Sequence, residues 1–147
     1  MKQETSIRNK KGAAAVEFAL ILPILVVLTF GIIEFGLVLY DQAVITNASR
    51  EGARTGVLYQ QPAMSTAALQ SEVATTVNDY CGNYLVSLGA KTASPTVDVT
   101  GDCQAPGNDI TVSVTYPYTF LVMQNLVQGM TGIANVGAVT TMRCEGY

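Results

Sequence analysis

One carboxylate stands at the start of the longest apolar stretch of this chain, where acidic residues are uncommon. Glu17 follows Gly12 and the small or apolar residues 13–16, and it precedes Phe18 and an apolar run that continues to about Tyr40. An acidic side chain that enters lipid costs roughly 2.5–3.5 kcal/mol, so Glu17 calls for a cationic partner. A free α-amine would supply that cation.

A second carboxylate, Glu34, lies in the same apolar stretch. Along a straight helix it would be about 25 Å from Glu17, and the two side chains would point about 100° apart. Catalytic carboxylate pairs lie much closer together than this. We therefore predict two independent features, one near each surface of a membrane whose hydrocarbon core is ~30 Å thick.

The other residues that could do chemistry give little support to an enzyme. The chain has no histidine, the commonest general base and nitrogen ligand for zinc, and its three cysteines form no C-x-x-C pair. Asp98, Asp102 and Asp109 could contribute to a calcium site, but they lack the EF-hand spacing and are more simply turn residues. We expect no catalytic site, no metal and no cofactor.

The charges are distributed unevenly along the chain. Half of the eight basic residues precede Gly12, and the residues after it carry four bases and ten acids, a balance of −6. Nucleic-acid binding is not expected, because it requires a basic surface. The basic N-terminus predicts a cytoplasmic leader, by the positive-inside rule.

The apolar stretch predicts a transmembrane helix that divides the chain into three parts. These are a cytoplasmic leader (1–12), a transmembrane helix (13–40) and an exported domain (41–147). A helix over 13–40 would measure about 42 Å, so its last turns must leave the hydrocarbon core. A secretory signal and an unprocessed membrane anchor are the alternatives; the signal fits less well, since no small-residue cleavage site follows Tyr40.

Pro23 lies inside the predicted transmembrane helix. It cannot donate a backbone hydrogen bond to the carbonyl of Ala19, so it predicts a kink or a loosened turn. A proline that the membrane helix simply tolerates is an equally good interpretation.

The exported part begins with helical periodicity. The first helix is expected to continue to about Val57, and a second helix is expected from about Ser65 to Leu88, with Gly89 as its stop. The second helix places six apolar residues at spacings of three and four, which predicts a core face: Leu69, Val73, Val77, Tyr80, Tyr84 and Leu88.

After Pro95 the periodicity changes to two, which predicts an antiparallel hairpin across the turn-rich residues 101–108. Pro117 is expected to end the second strand or to mark an edge. A short amphipathic helix or a packed loop over 119–131 and a last strand from about Asn135 to Arg143 complete the prediction. The fold class is α+β, a long transmembrane helix running into a small domain of one or two helices packed on a short antiparallel sheet.

Three cysteines in an exported domain predict one disulfide and one leftover thiol. If the last strand pairs antiparallel with the strand beginning at Asp109, Cys144 lies close to Cys103. A Cys103–Cys144 disulfide is therefore favoured, with Cys81–Cys103 as the second choice and unpaired buried cysteines as the remaining alternative.

The residues Gly12 to Phe18 resemble the class III signal of type IV prepilins, which a peptidase cuts after the glycine. With the motifs at 20–23, 30–36 and 47–54, the chain is most similar to the TadE-like family of pseudopilins; residues 114–117 and 141–143 add weaker similarity. This resemblance implies a pilin-like fold, cleavage between Gly12 and Ala13, and subunit assembly through Ala13, Glu17 and Phe18.

The resemblance also implies a minor subunit for assembly of a Tad or Flp-type pilus in the bacterial inner membrane, with its domain periplasmic or extracellular and its incorporation into the pilus left open. Implied partners are the prepilin peptidase, Flp-type pilins, a TadF-like pseudopilin, the inner-membrane platform, a cytoplasmic ATPase and membrane lipid. The alternative is an unprocessed single-pass protein that displays an adhesin or scaffold domain.

Overall fold

The computed structural model describes residues 4–58, 64–86, 94–120 and 133–144, with side chains for all of these except 4–11, 133 and 134. Two helices are followed by three strands. These are α1 (Glu4–Val57), α2 (Thr66–Tyr84), β1 (Thr96–Gly101), β2 (Asp109–Thr119) and β3 (Ile133–Arg143). The chain is thus α+β, with a long N-terminal helix that runs into a small domain, as the sequence predicted.

The first helix, α1, is unbroken over 54 residues and continues through Pro23. Every side chain from Gly12 to Val26 is exposed, whereas Glu34 and a face of the helix beyond it are buried. Among the described residues, one helix is long and apolar enough to cross a membrane by length and composition, within 12–57. We call the part of α1 from Glu34 onward, together with α2 and the three strands, the head.

The second helix begins where the sequence predicted but ends earlier. Ser65 is its N-cap, and the Ser65 hydroxyl accepts a hydrogen bond from the Ala68 backbone N–H at 3.3 Å. The helix stops at Tyr84 because Leu85 takes an extended conformation, so the predicted end at Leu88 is wrong. The predicted stop at Gly89 lies outside the described residues.

The predicted core face of α2 is mostly confirmed. Leu69, Val73 and Val77 are buried, and Cys81 continues their row. Tyr84 corrects the prediction, because its side chain is 52% exposed and its ring lies against that of Tyr80, with the two centroids 4.7 Å apart.

The sheet is a simple antiparallel meander in the order β1-β2-β3, with β2 in the centre. Pro117 does not end β2, which continues to Thr119 in register with Ile133 of β3. The last pair with β1 is Thr115 with Thr96, so Pro117 lies where β2 has lost its neighbour on one side. It therefore marks a local edge, the second of the two predicted roles. The short helix or packed loop predicted over 119–131 lies outside the described residues from 121 onward.

The head packs α2 and one face of the sheet against α1. The alternate residues of β2 that face the helices are all buried: Ile110, Val112, Val114, Tyr116 and Tyr118. β2 runs antiparallel to α1. An added Cβ at Gly56 would meet Ile110 near the start of the strand. At the other end of the strand, the negative charge of Glu34 contributes to the raised pKa of Tyr118.

This arrangement gives the head two distinct ends. At the neck end, α1 enters the head at Glu34 and Asp41, beside Tyr118 of β2 and Val86 after α2. At the tip end lie Gly56 and the turns that join β1 to β2. The two ends therefore differ in the residues that they carry.

Gly52 is required where α1 and α2 cross. A Cβ built on Gly52 would lie 2.5 Å from Cγ2 of Val77, a stiff and fully buried side chain. We expect Gly52→Ala to destabilise the head by about 1–3 kcal/mol through overpacking, even though alanine favours a helix. Thermal unfolding of the full chain in detergent, followed by circular dichroism, measures this loss.

Gly82 in α2 provides the matched control. A Cβ built there meets no atom within 4 Å, so Gly82→Ala is expected to leave the stability unchanged or to raise it by up to ~1 kcal/mol. Equal losses for the two variants would contradict close packing at Gly52.

Candidate functional site

The residues that the sequence assigned to cleavage and assembly lie on a regular, exposed part of α1. Gly12, Ala13, Glu17 and Phe18 are all helical and exposed, and Phe18 exposes 62% of its surface. Glu17 lies four residues after Ala13, which places the two about 6 Å apart along the axis on one face of the helix. The structure thus aligns the predicted amine position and the carboxylate, well away from the head.

The residues around Pro23 are also exposed. Because proline has no N–H, the carbonyl of Ala19 lacks its usual intrahelical donor, although α1 is assigned as helix throughout. Six residues after Pro23, the Thr29 hydroxyl donates a hydrogen bond to the carbonyl of Leu25 at 2.8 Å. Side-chain bonds of this kind can bend a helix slightly, but α1 is helical through both Pro23 and Thr29.

Glu34 is only 1% exposed. It lies on the face of α1 that packs against the head. Burial of Tyr118 raises the pKa of that side chain, and the negative charge of Glu34 raises it further. Its carboxylate therefore belongs to the neck end of the head and not to the exposed apolar surface of α1.

Asp41 is a functional candidate that sequence reasoning missed. It is fully buried, and its Oδ1 accepts a hydrogen bond from the Val86 backbone N–H at 3.0 Å, which ties the chain leaving α2 to α1. The spacing in the sequence does indicate that Asp41 and Glu34 share a face. Asp41 follows Glu34 by seven residues, which is about two helical turns. From the sequence alone, Asp41 marks only the start of the exported domain.

Cys81 is the free cysteine, and its thiol is buried beside this acidic face. Burial, with a further contribution from the charge of Asp41, raises its pKa to about 11. Burial and the charges of Asp41 and Cys81 likewise raise the pKa of Tyr116. At neutral pH the thiol is protonated, so it is neither a nucleophile nor a metal ligand.

The tip end carries a disulfide between Cys103 and Cys144, the pair that the hairpin geometry favoured. Two backbone bonds hold the same corner together, from Cys144 N to Asn108 O at 2.8 Å and from Gly107 N to Cys144 O at 3.1 Å. Asp102 accepts bonds from the Gln104 backbone and the Asn108 side chain, as a turn residue does. Within the described ranges, no group of three or more His, Cys, Asp or Glu residues could hold a metal.

Comparison with known proteins finds a similarity in the N-terminal part of the chain. No curated protein and no solved structure matches the chain. A family model does match residues 12–54, which comprise the exposed apolar part of α1 and most of its length within the head. Similarity to this family suggests a protein associated with the Tad pilus, and the long apolar helix suggests a single-pass membrane protein. The model is that of the TadE-like proteins, the family that the N-terminal motif predicted.

Proposed function

We propose that this chain is a pseudopilin, a minor pilin-like subunit for assembly of a Tad or Flp-type pilus. A prepilin peptidase removes 1–12, leaving Ala13 as the new N-terminus. The mature α1 crosses the inner membrane once, with its N-terminus cytoplasmic and the head on the other side. The exposed carboxylate of Glu17 on an apolar helix carries this proposal, because it has a reason to be there only if a cation meets it in the membrane.

The length of α1 supports the membrane placement. From Ala13 to Ile33, the last residue before the head begins, a helix measures about 32 Å, which matches the ~30 Å of bilayer hydrocarbon. The side chains of this segment are largely exposed and apolar, with Glu17 the sole charged one. The basic leader supports the orientation.

Assembly would depend on a charge pair between subunits. A cut before Ala13 places a positive amine at the N-terminus of a helix, where the helix dipole already makes a positive charge unfavourable. The carboxylate of Glu17 on an adjacent pilin would neutralise that amine in a low-dielectric helix bundle, and the pair would set the register of the two helices. Phe18 would pack in the same contact.

Partners follow from the same proposal. The peptidase recognises the leader and Gly12, and the platform proteins and cytoplasmic ATPase meet the subunit at the inner membrane. Flp-type pilins and a TadF-like pseudopilin supply the neighbouring helices, and lipid surrounds α1 before assembly.

Processing gives the direct test. N-terminal sequencing and intact mass measurement of the protein from its native bacterium are expected to find Ala13 at the N-terminus. Gly12→Val is expected to abolish the cut without disturbing the fold, because an added Cβ at Gly12 meets no atom within 4 Å.

Gly36→Ala serves as the control, since its Cβ position is equally open and it lies far from the cut. Recovery of the natural chain with 1–12 still attached would instead support an unprocessed membrane protein that displays the head.

A further inference from the structure

Burial along one face of α1 begins before Glu34, within the length that the proposed function assigns to the membrane. Val27 and Gly31 are half-buried, whereas the residues before Val27 back to Gly12 are all exposed. Val27, Gly31 and Glu34 are spaced by four and three residues, so they lie on one face, the face that meets the head. Val27 is about 10 Å below Glu34 along the helix axis.

The end of β2 reaches the same depth. Tyr118 lies within electrostatic range of Glu34, and β2 runs antiparallel to α1. Two further residues at the spacing of a strand cover about 7 Å, which brings Phe120, the residue after β2, to about the level of Phe30. Phe120 is half-buried, and its ring packs edge-on against that of Tyr118, with the centroids 5.3 Å apart.

The described residues of α1 expose no charge at this depth. Among the described residues of α1 between Glu17 and Arg50, the two acidic ones, Glu34 and Asp41, are buried. On the side away from the sheet, Phe35 and Leu39 are exposed. An uncharged surface with aromatic rings, continuous with an apolar helix, fits the boundary between acyl chains and headgroups.

We propose that the neck end of the head, at Phe120 just after β2, is inserted into the non-cytoplasmic leaflet of the bilayer beside α1. The head is then held by the membrane at two places, α1 and the end of the sheet, and its orientation relative to the membrane is fixed before assembly. This inference rests on the proposed membrane span of α1. The partner is the acyl region of the lipid, and assembly of a pilus would have to withdraw Phe120 from it.

Tryptophan reporters test this insertion without interference, because the chain contains no tryptophan. The full-length protein is reconstituted at high dilution in phosphatidylcholine vesicles that contain brominated lipids, with one reporter in each variant. Phe120→Trp reports on the neck end. Leu25→Trp, at a position 53% exposed in the middle of the span, and Leu58→Trp, at a position 58% exposed at the tip end, are the matched controls.

We expect strong quenching at positions 120 and 25 and none at position 58. Position 120 should respond most to bromines near the headgroup, and position 25 to bromines near the end of the acyl chain. Quenching at position 25 without quenching at position 120 would overturn the insertion alone, whether water or another protein chain covers Phe120. No quenching at position 25 would overturn the membrane span, and with it the proposed function.

Discussion

Replacing Glu17 with alanine is expected to abolish association of the mature protein with its neighbouring pilins. The variant leaves the amine of an adjacent subunit inside an apolar bundle without its anion. Removing one member of a buried ion pair typically costs about 3–5 kcal/mol, which is a loss of roughly a hundredfold or more in an association constant. Co-purification of the natural pilus components from detergent-solubilised membranes measures this loss.

The position of Glu17 separates an effect on association from an effect on folding. Glu17 is exposed and lies 17 residues before the first fully buried residue of α1, so its removal should not affect folding of the head. Glu51→Ala provides the matched control, since Glu51 is also an exposed glutamate on α1 but lies within the head. We expect its effect on association to be small.

The outcome separates two interpretations of the chain. If Glu17→Ala associates with pilins as the natural protein does, the charge pair does not hold the assembly together, and an unprocessed protein that displays its head becomes the better account. Glu17→Asp adds a geometric check, because a shorter acid keeps the charge but moves it. Partial recovery is expected if the register of the helices depends on the pair.

Local periodicity was sufficient to predict most of the elements of this fold. The 3.6-residue pattern of α2 and the two-residue pattern of β2 each arise from an element with one buried face. The spacing of the apolar residues in the sequence indicates that face directly. The course of α1 out of its apolar segment was predicted for the same reason. The β1–β2 hairpin followed from the alternation and the turn-rich residues 101–108, whereas the antiparallel pairing of β3 with β2 was an assumption that the structure confirms.

What the sequence did not reveal depends on how the head packs against α1. The burial of Glu34 and Asp41 results from contacts with elements about 45–85 residues away, which no local pattern specifies. The end of α2 at Tyr84 has the same origin, because the chain turns there to place the Val86 N–H on Asp41. Pro117 could remain in a strand because β1 is short, a property of the sheet and not of the proline.

The site residues divide in the same way. Gly12, Ala13 and Glu17 belong to one continuous motif and could be named from their order in the chain. Asp41 is the opposite case, since an acid just after an apolar segment is ordinarily solvated, and only the three-dimensional fold covers it. Glu34 was named as a carboxylate near the membrane surface, but its place inside the neck end required the structure.

Removing the disulfide at the tip end is expected to produce the largest loss of stability. Cys103 and Cys144 are 41 residues apart in sequence, and a crosslink that closes a loop of this size stabilises by roughly 3–4 kcal/mol in the chain-entropy model. Small domains are stable by only about 5–15 kcal/mol, so the Cys103→Ser/Cys144→Ser variant should lose a large fraction of its free energy of unfolding. Denaturant unfolding of the full chain in detergent measures that loss.

Cys81→Ala tests whether the loss is specific to the crosslink. This change removes a buried thiol but leaves the bridge intact, and it should cost less than the double variant, because only one small side-chain atom is lost from the core. Reduction of the natural protein should reproduce the double variant, and reduction of the double variant should change nothing. A double variant as stable as the natural chain would mean that the backbone bonds between Cys144 and residues 107–108 hold the tip end without the crosslink.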